Sequence, residues 1–369
     1  MKLFTIAATA LALASCSSGV DIRLTNELPV ARCGEMVEVV LPESVDKPFV
    51  LVDPSGNEVA YQITHDGTMV FEADVPADTS VVYVIKNGTP SEVDTVAYGR
   101  LFAERLDDLA WENDKAAYRA YGPALQATGE RAYGYDVWTK STPKPVLEKR
   151  YYGEKVQGVS YHEDHGEGMD AYGVGPTLGG GTAALLHADG NLRYPECFTS
   201  YEVLDNGPLR FSAKLVYDSD TVVETRVITL DKGSFLNRTS VTFDSVCGTD
   251  IAPGIVVHAA APDDYVLADA YMAYADPTQN ANNGNGRIYV GVVVPGDSTR
   301  YEYRALEQPV GDAVGHLLGV TPYKANDEFV YYWGSGWSKG YMPSMDEWKA
   351  YLADFAVKIE SPIKVEIER

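Results

Sequence analysis

Short runs in which every second residue is apolar, each closed by a turn, recur along most of this chain. That pattern restricts the fold more than any other feature of the sequence. Residues 224–230, Glu-Thr-Arg-Val-Ile-Thr-Leu, set the rhythm of an antiparallel strand with one buried face. Residues 22–24, 36–41 and 49–52 repeat it near the start, and 209–217, 235–243, 255–259, 287–294 and 329–333 repeat it later. Between them lie Asp53-Pro54-Ser55-Gly56-Asn57, Asp66-Gly67, Asn87-Gly88 and Asp231-Lys232-Gly233, whose residues supply positive φ or local side-chain turns. Residues 100–110 lean towards helix. A complete helix signature stands near the end, where the capping box Ser344-Met345-Asp346-Glu347 precedes Trp348, Tyr351, Leu352, Phe355 and Ile359 at helical spacing. Pro362 stops that helix, and residues 363–367 can form a last strand. The expected fold is all-β and mainly antiparallel, a large sandwich with a C-terminal helix.

Residues 3–14 are apolar but too few to span a bilayer, which takes about 20 residues. Behind Met1-Lys2 and before Leu13-Ala14-Ser15-Cys16 they resemble a lipoprotein signal, with Cys16 as the lipidated residue. The expected organisation is a signal peptide at 1–15, a β-rich part at 16–98 and the larger sandwich at 99–369. The expected location is the bacterial cell envelope, with membrane contact through the anchor only. A net charge of −23 argues against nucleic acid as a partner. Cys33, Cys197 and Cys247 are an odd number at wide spacings and define no pairing. Tyr outnumbers Phe by 25 to 10, which favours half-wet surfaces where a ring packs and a hydroxyl binds.

Chemistry concentrates in residues 161–170, Tyr-His-Glu-Asp-His-Gly-Glu-Gly-Met-Asp. Such a segment can set an imidazole beside a carboxylate, the arrangement a general acid/base needs. His162 and His165 with Glu167 are the candidate pair. A divalent metal held by His162, His165 and Asp164, Glu167 or Asp170 is a second reading, although the two histidines are three apart without a helix signal. A solvated acidic loop is the third. The glycine-rich run 172–181 lacks both dinucleotide and Walker spacing and reads as close packing behind the loop, with Tyr172 as a site residue. If residues 117–121 form a strand, Arg119 and Tyr121 share a face on which Arg119 can grip a carboxylate. Trp337 and Lys339, in a glycine-rich setting, suit stacking on a sugar ring.

In order, Glu112-Asn113-Asp114, Tyr118-Arg119, Tyr121-Gly122-Pro123, Asp136-Val137-Trp138, the histidine segment with Asp170 and Tyr172, and Gly336-Trp337-Ser338-Lys339 resemble the proteins carrying domain of unknown function 4861. The resemblance covers most of the chain. It implies a supersandwich similar to galactose mutarotase-like folds, in secreted or lipoprotein-like proteins of polysaccharide-degrading bacteria. Uronate-containing oligosaccharide is then the expected substrate. In a lyase, His165 would serve as base, Arg119 as the carboxylate's cation and Tyr172 as acid, with Tyr121, Asp170, Trp337 and Lys339 binding substrate. Epimerase and hydrolase are close alternatives, and a non-catalytic glycan-binding lipoprotein is the rival from another class.

Overall fold

The computed structural model describes residues 19–45, 47–219, 221–245 and 250–368. Cys16, the signal segment and Cys247 lie outside them. Cys33 is an exposed free thiol and Cys197 a buried one.

The sandwich proper consists of two antiparallel sheets. One runs in the order Leu192–Arg193, Gly180–Leu186, Asp250–His258, Ala313–Pro322, Arg300–Val310. The other has eight strands, ordered Ser200–Asp205, Arg210–Ser219, Val222–Asp231, Leu236–Phe243, Phe329–Trp337, Ile288–Val293, Tyr271–Asp276, Tyr265–Leu267. Their facing sides bury Leu215, Ile228 and Val241 against Ile251, Ile255 and Leu317. Alternation in Val222–Asp231 is strict, but it carries Glu224 and Arg226 inward, where they pair with each other beneath Tyr135 and Tyr217.

The N-terminal part folds as a smaller sandwich. Arg32–Val40, Thr68–Val75 and Tyr61–Ile63 form one sheet. The other places Val20–Asn26 between Thr79–Asn87 and Lys364–Glu368, with Phe49–Val52 and Glu58–Val59 beyond. The last strand of the chain thus completes the first sheet. The helix Met345–Glu360 starts where Ser344 accepts the Glu347 N–H at 3.2 Å. It seats Trp348 and Leu352 on the outer face of the eight-stranded sheet. Gly291 permits this approach, since a Cβ there would lie 2.7 Å from a Leu352 methyl.

Residues 100–110 are not helical, contrary to their local leaning. Tyr98–Phe102 and Asp108–Glu112 are paired strands, with Arg100 opposite Ala110, joined by a short 3-10 turn. Leu106 and Asp107 both take positive φ, which an α-helix does not admit, and the ladder overrides propensity. These strands continue through Ala117–Ala120 to Asp136–Trp138 as a four-stranded sheet. One of its faces packs Trp111 and Tyr118 against Trp333 and Phe211; the other, backed by the helix Leu147–Tyr152, carries the site described next.

Candidate functional site

Strand alternation sorts residues 118–121. Tyr118 turns into the main core, where its hydroxyl donates to the Phe235 carbonyl at 2.8 Å. Arg119 and Tyr121 share the opposite side, as expected, and the guanidinium donates to the Tyr121 hydroxyl at 3.2 Å. Directly across the ladder from Arg119 stands Asp136, at 2.5 Å. Asp170 approaches at 2.9 Å and Asp108 at 3.5 Å. Tyr121, Trp138 and Tyr161 surround the guanidinium carbon at 5.0, 5.1 and 5.9 Å. Arg119 is therefore occupied by the chain's own carboxylates and is almost fully buried.

Three aspartates surround one enclosed guanidinium, and among the described residues the other Lys or Arg in direct contact with them is Arg105, 3.3 Å from Asp108. In a low-dielectric setting such an excess of negative charge is resolved by holding protons. Burial raises the Asp170 carboxyl, and neighbouring Asp136 pushes it further, to about 7. Burial likewise lifts Asp108 to about 6 against the pull of Arg119 and Arg105. Two buried carboxyls poised near neutrality mark the kind of place where proton chemistry occurs.

The histidine loop is tied to this cluster through Asp170. Its backbone N–H bonds the Tyr161 carbonyl at 2.8 Å and it bridges to Trp138. His162 Nδ1 lies 3.1 Å from the Asp170 carbonyl and 3.6 Å from its carboxylate. A carbonyl can only accept, so Nδ1 carries the hydrogen and Nε2 keeps its lone pair on a side chain that is 51% exposed. Gly168 makes this turn possible, with φ +98 and no room for a Cβ, which would sit 2.2 Å from the Thr139 carbonyl.

The other expected residues fall in three places. His165 donates through Nε2 to the Ser160 carbonyl, 2.9 Å away, and Glu167 pairs with Lys149 at 2.6 Å. Both line a cavity of only about 70 Å³, room for water and not for a sugar ring. Tyr172 points away from the loop, its ring edge-on to His258 at 6.0 Å, and its buried hydroxyl has no partner among the described residues. Burial and Asp276 push that phenol well above its usual range. Trp337 lies in the main core with its indole N–H on the Asn285 carbonyl, 2.8 Å away, while Lys339 is exposed, 6.0 Å from that ring. Among the described residues no three His, Cys, Asp or Glu side chains form a metal-holding group.

Sequence reasoning missed Arg105, Asp108 and the pair His258–Asp276. His258 Nδ1 meets the Asp276 carboxylate at 2.6 Å; burial pulls the imidazole down, but that bond and charge outweigh it and leave it raised. Arg105 immediately precedes the consecutive positive-φ residues Leu106 and Asp107 and borders Tyr161, Asp108 and Asp170 with part of its side chain exposed. Only a three-dimensional neighbour list could have found these.

A family model described as domain of unknown function (DUF4861) matches residues 24–365. "Uncharacterized protein P7" of Formosa agariphila is 29% identical over 326 residues, covering 82% of this chain and 79% of that protein. Among solved structures, an alpha-mannosidase from Enterococcus faecalis V583 aligns with TM-score 0.45 at 10% identity, over 95% of this chain and 46% of that one. A protein in glycosyl hydrolase family 38 from Enterococcus faecalis aligns with TM-score 0.43 at 11% identity, over 95% and 47%. The chain spans about half the length of the solved structures it matches.

Proposed function

The chain belongs to the DUF4861 family, and from that premise we propose that it is a carbohydrate-active enzyme of the cell envelope, anchored through Cys16, that cleaves uronate-containing oligosaccharides by elimination. The observation that carries the chemistry is the linked set His162, Asp170 and Arg119, with a free Nε2 at its accessible end. The substrate class rests on the polysaccharide-degrading setting that the family resemblance implies.

In this reading His162 Nε2 takes the proton from the ring carbon next to the uronate carboxylate. The electron pair forms a carbon–carbon double bond as the bond to the leaving oxygen breaks, and the imidazolium returns its proton to that oxygen. Asp170 is a positioning residue. Its carbonyl fixes the tautomer, and its carboxylate stabilises the imidazolium in passing. Arg119 holds Asp170 in place, so the cation for the substrate carboxylate is the part-exposed Arg105.

Turnover is read by absorbance from the new double bond together with product mass. Replacing His162 by Ala lowers turnover about 10²- to 10⁴-fold, the usual contribution of a positioned acid/base. Unchanged turnover in that variant overturns the assignment of the base. Products heavier by one water point to a hydrolase, and tight binding with no product points to a glycan-binding protein.

A further inference from the structure

A larger cavity lies elsewhere. A cleft of about 510 Å³ opens on the outer face of the eight-stranded sheet, a volume within the range of small-molecule sites. The strand Arg32–Val40 walls one side, and the helix Met345–Glu360 the other through Tyr351 and Phe355. Its floor includes a cross-strand row in which Thr229 pairs with Arg238 and Arg238 with Tyr332. It shares no lining residue with the small cavity at His165.

The charges in this cleft are unevenly satisfied. Arg210 is held by Asp231 and Glu38, Lys232 by Glu72, and Lys358 by Asp354. Arg238 makes no ion pair with any described residue; its neighbour is the Tyr332 phenol. A half-buried guanidinium that is hydrogen-bonded to a phenol and has no ion partner among the described residues suits a planar carboxylate. Tyr332 and Phe355 meet edge to face at 5.0 Å and offer apolar ring surface. At the rim, Glu38 and Asp354 are ion-paired yet keep about half of their side chains exposed, leaving lone pairs that can accept hydrogen bonds from hydroxyl groups. One carboxylate, several hydroxyls and apolar C–H faces together describe an acidic sugar.

We propose that this cleft is a second saccharide site that holds a uronate unit through Arg238, with Tyr332 and Phe355 against the sugar ring. The inference rests on the carbohydrate reading above and adds to it a retention site apart from the histidine loop.

The test is titration calorimetry of the whole mature chain carrying His162→Ala, with a glucuronate-containing tetrasaccharide and its carboxyl-reduced form. Adding Arg238→Gln is expected to weaken binding of the acidic form by about ten- to a hundredfold, as loss of a charged hydrogen bond does. It should leave the weak binding of the reduced form unmoved. Tyr332→Leu serves as second variant, and equal thermal melting of all variants establishes that each is folded. Acidic-saccharide binding that ignores both substitutions overturns the cleft while leaving the carbohydrate reading intact if the wild-type chain turns the saccharide over. Binding that requires Arg238 without any wild-type turnover supports the cleft and removes the enzyme reading. No binding and no turnover of any acidic saccharide refutes both.

Discussion

Asp170→Asn isolates the feature on which the site depends, a carboxyl kept partly protonated by burial. Its folded pKa of about 7 stands above the unfolded value of about 4. The folded chain therefore binds that proton more tightly than the unfolded chain does. Stability from this group is fully present below pH 4 and is lost as pH rises towards 7. Three pH units at about 1.4 kcal/mol each amount to something on the order of 4 kcal/mol. Asn is neutral throughout and still offers Arg119 an acceptor oxygen. Below pH 4 the variant should match the parent, and above pH 7 it should be the more stable of the two by several kcal/mol, with its turnover reduced. Asp108, raised to about 6, titrates in the same direction in both proteins, so the variant keeps a residual slope below pH 6. Urea unfolding followed by circular dichroism at pH 4, 5.5, 7 and 8 measures the difference. A variant destabilised as much at pH 8 as at pH 4, or more, would refute the reasoning. It would mean that the Asp170 charge anchors Arg119 and that no proton is stored.

Two further substitutions probe the same assembly. Arg119→Met strands Asp108, Asp136 and Asp170 without their shared cation and should cost about 3–5 kcal/mol. The loss should be greater at pH 8 than at pH 5, where protonation relieves the carboxyls, and melting temperature against pH reads it. Gly168→Ala should destabilise by at least about 1 kcal/mol and raise KM, because φ +98 and the Thr139 carbonyl leave a Cβ no place; wild-type KM and melting temperature in that variant would contradict the account of the loop.

Much of the secondary structure could be read locally because its causes are local. Alternation in 224–230, the Asp53 turn that accepts the Ser55 and Asn57 N–H groups, and the Ser344 cap act over a few residues. The segment 100–110 failed for the complementary reason: its helical leaning is weak, and pairing with distant partners supplied more than propensity could.

The candidate site divides in the same way. The sequence by itself determined that His162 and Asp170 share one short segment, and that Arg119 and Tyr121 would share a face if residues 117–121 formed a strand. Only the tertiary structure decided that Asp108, Asp136 and Asp170 close on Arg119, and that Arg105 borders the same cluster. It also decided that Trp337 is enclosed and that Arg238 lies on the floor of a cleft. Strand period and turn chemistry are written into neighbouring residues. The proton affinity of a carboxyl depends on which charges and how much water surround it, and residues far along the chain supply both.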